Sequence, residues 1–270
     1  MSNENMFIYK ALKPVLSTIY KLWYNPKIIG RESIPKEGSI VVVGNHIHIM
    51  DQCNVIISTK RPLHYMAKKE YFEGKFAWFF KAVGCIPVDR SKKDDSATSA
   101  ALEVLENNQA LGLFPEGTRN GLKEDRAKEL YETYLESSIE YNDFYEKIKK
   151  TKTSQINYLE ELMKNKVITR DEFLDNIYTA DEFLNDLIIN HRLTKEEYYE
   201  NILLPFKFGA VSMAHKTDSY LVPYAITGEY KFRSKNLMIR IGTPFKADDD
   251  LEKANQRLRE EIKNLLKDNI

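Results

Sequence analysis

Two short segments carry side chains whose types and spacing could do chemistry. The first is Asn45-His46-Ile-His48-Ile-Met-Asp51. It follows Ser39-Ile-Val-Val-Val-Gly44, a β-branched apolar run that reads as a buried strand. Open α/β sheets place their ligands at the ends of such strands, where His46 emerges. If the chain turns into a helix after His46, the carboxylate of Asp51 can fold back to the ring. A carboxylate on one ring nitrogen fixes the tautomer and stabilises the imidazolium, and the other nitrogen can then take a proton from a hydroxyl. Taken alone, the spacing also describes a solitary surface or core histidine. The second segment is Phe114-Pro-Glu116-Gly117-Thr118-Arg119, again after an apolar strand. An Arg beyond a Gly turn offers a planar fork to phosphate, and the Gly lets the backbone come close. The plainer reading is a turn with a surface ion pair from Glu116 to Arg119, which contributes little.

These segments need strands and helices to hold them. A mostly helical stretch is expected after His46, to about Ala82; it includes Lys68 to Phe80, where lysines mix with a dense aromatic block. Cys85-Ile-Pro-Val88 reads as a second short strand, which Pro87 places at an edge or an end. Ser96 to Asn107 is helix-like, and Ala110 to Phe114 is a third strand. Tyr220 to Ile226 and Leu237 to Ile241 are further strands, and Leu251 to Leu266 is an amphipathic helix. Strands alternating with helices imply an α/β fold.

Composition bounds the rest. The chain has 270 residues, 43% hydrophobic and 30% charged, enough to bury a substantial core and against bulk disorder. With 11 Gly and 9 Pro it is not low-complexity. Cys53 and Cys85 make neither a disulfide framework nor a zinc spacing with histidines, so a reducing, cytosolic setting is expected. The N-terminus lacks the basic region and apolar core of a cleaved signal peptide. No stretch has the roughly 20 apolar residues that span a bilayer. Met6 to Tyr24 comes nearest, but Lys10, Lys13 and Lys21 interrupt it. Its apolar residues recur at helical spacing, which fits either an interfacial amphipathic helix or a helix packed on the core.

Lys+Arg and Asp+Glu balance at 40 each, but unevenly along the chain. Gly121 to Leu203 holds 12 basic and 19 acidic residues, so an insert of net −7 interrupts a body of net +7. A basic body suits anionic lipid or phosphate ligands. The insert is helical in composition and repeats weakly at a 25-residue offset: Leu162 to Ile177 aligns with Leu187 to Ile202, identical at 6 of 16 positions. Both copies contain Thr-x-x-Glu, at Thr169/Glu172 and Thr194/Glu197, the signature of a capping box opening a short helix. Two copies fall short of the three that a repeat array needs, so a small helical accessory unit is expected.

In this order and spacing, the two segments and two others resemble the glycerolipid acyltransferases, most closely the bacterial 1-acyl-sn-glycerol-3-phosphate acyltransferase family. Asn45, His46 and Asp51 match that family's Asn-His-x4-Asp. Gly84 to Ser91, centred on Arg90, matches its second motif. Phe114 to Arg119 matches Phe-Pro-Glu-Gly-Thr-Arg in full, and Val222-Pro223-Tyr224-Ala225-Ile226 matches its apolar fourth motif. The resemblance covers about Ser33 to Asn120 and Leu204 to Phe245. It implies a mixed, mostly parallel sheet flanked by helices. The N-terminal helix (1–30) would associate with membrane, the acyltransferase domain would comprise 31–122 and 203–270, and 123–202 would be the acidic insertion.

The implied reaction moves a fatty acyl chain from acyl-CoA or acyl carrier protein to the glycerol hydroxyl of a lysophospholipid, foremost lysophosphatidic acid. His46 would be the general base and Asp51 its orienting carboxylate. Asn45, Arg90, Glu116, Gly117, Thr118 and Arg119 would bind substrate. Another lysophospholipid, glycerol 3-phosphate or a glycolipid remains open as acceptor, as does a non-catalytic lipid-binding scaffold. No Gly-x-Ser-x-Gly elbow is present for a serine acyl-enzyme. No metal, no cofactor beyond the thioester and no nucleic-acid partner is expected. The protein is expected on the cytoplasmic face of the cell membrane, peripheral or monotopic, docked by the N-terminal helix and by Phe72 to Phe80. There are two departures from the family. His48 stands where the family usually has a small or polar residue; it could be a further proton-active group or a neighbour that narrows acceptor choice. The insert, separating Arg119 from Phe206-Lys-Phe-Gly-Ala210, could be a platform for a partner or carrier protein, an oligomer contact, a lid or an inert subdomain.

Overall fold

A computed structural model of the chain describes residues 6–89, 91, 94–135 and 139–269. The chain divides into two compact units, Met1–Gly117 with Phe206–Ile270, and Thr118–Pro205. The charge count sets an acidic insert at Gly121 to Leu203, and the resemblance implies divisions at 122/123 and 202/203. Inside the second unit Asn120 hydrogen-bonds Ser154, and the Leu122 amide donates to the Thr151 carbonyl.

The first unit opens with α1 (Met6–Tyr24), β1 (Lys27–Ile29), β2 (Ile40–Gly44) and α2 (Asp51–Ser58). β3 (Leu63–Lys68), α3 (Ala77–Ala82), β4 (Ile86–Val88), α4 (Asp95–Glu106) and β5 (Ala110–Leu113) follow. The second unit then supplies α5 (Glu124–Tyr134), α6 (Tyr141–Ile148), α7 (Thr153–Lys164), α8 (Arg170–Asn176), α9 (Ala180–Ile189) and α10 (Lys195–Asn201). The chain returns to the first unit through α11 (Gly209–Lys216), β6 (Tyr220–Thr227), β7 (Met238–Ile241), β8 (Phe245–Lys246) and α12 (Leu251–Lys267).

The strands form one mixed, mostly parallel sheet in the order β1-β7-β6-β2-β5-β3-β4, with β8 paired to β6. β2 lies at its centre, parallel to both β5 and β6, and all five of its residues are buried. Its continuous Val/Ile run is what burial on both faces selects. β4 ends the order, as Pro87 requires of a strand without a full set of donors. Pro223 sits inside β6, where that strand's outer partner changes from β8 to β7, so the missing N–H interrupts no ladder there.

The stretch expected to be helical up to Ala82 contains β3 instead. Leu63-His-Tyr-Met-Ala-Lys68 has helix-favouring residues and no strict alternation, but pairing with β5 on one side and β4 on the other overrides local preference. Two glycines and two tyrosines sit in register at the sheet centre. Gly44 faces Tyr224, and Gly112 faces Tyr65. A Cβ at Gly44 would lie 2.3 Å from the Tyr224 ring, and one at Gly112 would lie 2.2 Å from the Tyr65 ring. Each ring thus lies over the glycine of the neighbouring strand, filling volume that no side chain of that strand could occupy.

α1 has two faces. On one, Tyr9 and Tyr20 are buried and the Lys13 ammonium donates to the Thr59 and Arg61 carbonyls at 2.7 and 3.0 Å. On the other, Val15, Leu16, Ile19, Leu22 and Trp23 are 48–71% exposed. No helix among the described residues is long and apolar enough to cross a membrane.

The second unit has its own core, in which Leu130, Phe144, Ile148, Ile156, Leu159, Phe173 and Leu184 are fully buried. The 25-residue repeat is structural. Lys166 and His191 both take left-handed φ values, 59° and 56°, and both copies form the capping box expected from Thr-x-x-Glu. In each, the Thr oxygen accepts from the Glu amide while the Glu carboxylate accepts from the Thr amide.

Candidate active site

β2 ends at Gly44, and the next two residues place the site. Asn45 is buried; its side-chain amide donates to the Ile226 carbonyl and accepts from the Ile226 amide, at 2.9 and 2.8 Å. It behaves as one more rung of the β2–β6 ladder. Both ends of the side-chain amide are held by backbone, which fixes where His46 starts.

His46 Nδ1 lies 2.8 Å from Asp51 Oδ2. The same carboxylate oxygen accepts from the backbone amides of Ile47 and His48, each at 2.7 Å. Asp51 is the first residue of α2 and is fully buried. Oδ2 already accepts two backbone amides and so meets the ring as an acceptor, which puts the ring proton on Nδ1 and leaves Nε2 its lone pair. The four intervening residues act as a tight turn whose amides close onto the carboxylate. The ring also stacks on Phe114 at 3.8 Å between centroids, which sets its plane. An imidazole held in one tautomer, with Nε2 as its acceptor, can take a proton from a hydroxyl.

Glu116 ties the second segment to the first. It is 4% exposed, and its carboxylate accepts from the His46 amide at 2.8 Å. Gly117 follows with φ +68°, and its amide donates to the Phe114 carbonyl at 3.0 Å. A Cβ there would lie 2.9 Å from the Lys207 Nζ, so the absence of a side chain admits that ammonium. The Lys207 amide in turn donates to the Pro115 carbonyl at 2.8 Å. A cation therefore rests on the glycine turn, one residue after the carboxylate that holds the His46 amide.

Thr118 and Arg119 are the first residues of the second unit, and Arg119 is exposed. Arg90 lies outside the described residues. Val222 and Pro223 are buried in β6, opposite Val42 and Val43, and support the sheet below the site. Among the described residues no cluster of three or more His, Cys, Asp or Glu could hold a metal ion.

Sequence reasoning missed Tyr230, in the loop after β6. Its hydroxyl donates to Asp51 Oδ1 at 2.5 Å and accepts from the Asn54 amide at 2.6 Å. The ring stacks on His48 at 4.1 Å. Burial, and next the Asp51 charge, push the Tyr230 phenol far above its ordinary range, so it stays a donor. Cys53, one turn into α2, has its thiol pushed up to about 11, by burial first and Asp51 second, which keeps it an unreactive neutral group. Lys207 carries no spacing signal either: Tyr230 comes to Asp51 through the pairing of β2 with β6, and Lys207 comes to Gly117 through its own amide's bond to the Pro115 carbonyl.

An imidazole–carboxylate pair thus stands at the carboxyl end of a central parallel strand of an α/β sheet, and a lysine side chain lies against the glycine turn that follows β5. Residues 25–227 match the model of the Acyltransferase family, and the chain belongs to that family. It is 30% identical over 114 residues to the 1-acyl-sn-glycerol-3-phosphate acyltransferase of Bacillus subtilis, covering 42% of this chain and 57% of that one. It is 33% identical over 96 residues to the protein of the same name from Borreliella burgdorferi, covering 34% and 38%. The chain thus spans about half the length of these curated relatives. The crystal structure of the 1-acyl-sn-glycerophosphate (LPA) acyltransferase PlsC from Thermotoga maritima superposes with a TM-score of 0.56 at 18% identity. It covers 96% of this chain and 81% of that one, a likeness of fold.

Proposed function

We propose that this chain is an O-acyltransferase. It would move a fatty acyl group from acyl-CoA or acyl carrier protein to the free glycerol hydroxyl of lysophosphatidic acid, giving phosphatidic acid. The observation that carries this reading is the 2.8 Å contact between His46 Nδ1 and Asp51 Oδ2 at the end of β2, in a chain of the Acyltransferase family. The names of the curated relatives support lysophosphatidic acid as acceptor.

In this reading His46 Nε2 takes the hydroxyl proton as the hydroxyl oxygen attacks the thioester carbonyl carbon. The C–S bond of the tetrahedral intermediate then breaks, and the departing sulfur recovers the proton from the imidazolium. Asp51 holds the ring and offsets its transient charge. Lys207 and Arg90 supply cations for the phosphate, and Gly117 leaves it room; Thr118 and Arg119 are assigned to acceptor binding by the family motif alone. No cofactor beyond the thioester is invoked. The exposed face of α1, with Phe76, Trp78 and the lysines 75 and 81 around them, supports peripheral docking to an anionic membrane surface.

The test is acylation of lysophosphatidic acid by purified protein with each donor in turn, with His46→Ala as control. Phosphatidic acid should form with wild type and fall by at least about 10²–10⁴-fold in the variant, the usual contribution of a positioned general base. Near-normal turnover in His46→Ala would sink the mechanism. Product with lyso-acceptors of other head groups but not with lysophosphatidic acid would move the acceptor. Tight lysolipid binding without any turnover would favour a lipid-binding role.

A further inference from the structure

We propose that Tyr230 is a positioning residue for the His46–Asp51 pair, held in place through Asn54 and Tyr20 by the partly exposed helix α1. The inference rests on the reading of His46 as general base and adds to it the group that fixes the far oxygen of Asp51.

The Asp51 carboxylate is fully buried, and its two oxygens do different work. Oδ2 is taken by His46 Nδ1 and by two backbone amides. Oδ1 receives the hydroxyl of Tyr230. The direction of the chain of bonds is determined. Asn54 Nδ2 can only donate, and it lies 2.6 Å from the Tyr230 oxygen, so the single Tyr230 proton goes to Asp51. Asn54 Oδ1 in turn accepts from the Tyr20 hydroxyl at 3.1 Å. Every donor from Tyr20 through Asn54 to Tyr230 points toward the carboxylate, an arrangement in which each bond polarises the next.

Packing fixes the same group. The Tyr230 ring stacks on His48 and meets the edge of Tyr24 at 5.6 Å, and Tyr24 leans on Tyr20 at 4.9 Å. Tyr20 and Tyr24 are one turn apart on α1, while Leu16, Ile19 and Trp23 of that helix are exposed. The loop that carries Tyr230 is tied to the same helix end, where the Arg233 amide donates to the Trp23 carbonyl and Trp23 packs on Phe232. His48, the departure from the family pattern, is thereby assigned a place: it is the platform for the ring of Tyr230. Without the Tyr230 hydroxyl, Oδ1 would be a buried charge lacking its donor, free to rotate and draw Oδ2 off the imidazole.

The experiment measures kcat and KM for donor and acceptor in detergent micelles, for Tyr230→Phe, Tyr230→Ala, Tyr20→Phe, the double variant Tyr20→Phe/Tyr230→Phe, and His46→Ala. Tyr230→Phe keeps the ring on His48 and loses only the hydroxyl. It should lower kcat by roughly 10- to 100-fold, the size of one hydrogen bond to a charged group, with both KM values within about two-fold. Tyr20→Phe should lower kcat by a few-fold, and the double variant should be no worse than Tyr230→Phe alone, since both act along one chain of bonds. Unchanged kcat in Tyr230→Phe overturns the proposal, as does a loss in Tyr230→Ala alone, which would reduce Tyr230 to ring packing. If the losses of the two phenylalanine variants multiply, the link to α1 is overturned. If His46→Ala keeps its turnover, the underlying reading fails instead, whatever the tyrosine variants do.

Discussion

Gly117 joins backbone conformation to charge placement. Its φ of +68° is open to glycine and strained for other residues, and the space its Cβ would fill holds the end of the Lys207 side chain. That end is flexible and can move aside, so the substitution is tolerable. Gly117→Ala should therefore leave a folded protein, less stable by about 1–2 kcal/mol from the left-handed backbone alone. Its KM for the phosphate-bearing acceptor should rise several-fold, because the displaced ammonium no longer rests on the turn. Denaturant titration and steady-state kinetics check both numbers; an unchanged KM would remove Lys207 from acceptor binding. Gly44 stands in contrast: a Cβ there meets the Tyr224 ring and the Tyr224 carbonyl oxygen at 2.5 Å, inside a fully buried sheet with nowhere to yield.

At the scale of elements, α1 is where sequence left two readings open, a core helix or an interfacial one. The structure gives one face to each. Tyr9 and Tyr20 face inward and hydrogen-bond to the Leu63 amide and to Asn54, while Leu16, Ile19, Leu22 and Trp23 remain uncovered. If the outer face docks on lipid, Ile19→Glu with Leu22→Glu should cut co-sedimentation with vesicles containing anionic lipid by at least about ten-fold, because burying two large apolar side chains is worth some 3–6 kcal/mol. Solution stability should change by less than about 0.5 kcal/mol, as for surface changes that break no buried contact. Unaltered vesicle binding would assign docking to another surface, the aromatic residues of 71–80 first. β3 is the opposite case. Its residues favour a helix locally, and only the availability of β5 and β4 on either side makes it a strand.

The whole molecule has balanced charge, and several of the groups that shape its alkaline response are buried in the first unit. Burial pushes the thiols of Cys53 and Cys85 up to about 11, and the phenol of Tyr9 to about 12. In the unfolded chain the thiols release their protons near 9, so the stability they contribute is complete below that pH and is lost as pH climbs to 11. Lys13 works in the other direction: burial lowers its ammonium to about 8, so folding gains between there and 10.5 as the charge is shed. Lys13 is one half-buried group against two thiols and several phenols, and the losses dominate. The melting temperature should hold to about pH 9 and decline from there to 11, less steeply in Cys53→Ala/Cys85→Ala. A double variant with the wild-type slope would show that these thiols do not drive the decline.

Sequence by itself determined which residues are candidates for chemistry and the local devices around them. His46 and Asp51 lie close along the chain, and a short turn suffices to bring them together. The capping boxes at Thr169 and Thr194, the all-apolar β2 and the edge position of Pro87 are local for the same reason: their causes sit within a few residues. Only the tertiary structure decided what completes the site. Tyr230 reaches Asp51 across 179 positions, and Asn45 meets Ile226 across 181. Glu116 finds the His46 amide across 70. Such contacts exist because β2 takes β5 on one side and β6 on the other, and strand order is settled by burial summed over the whole sheet, which no single segment carries.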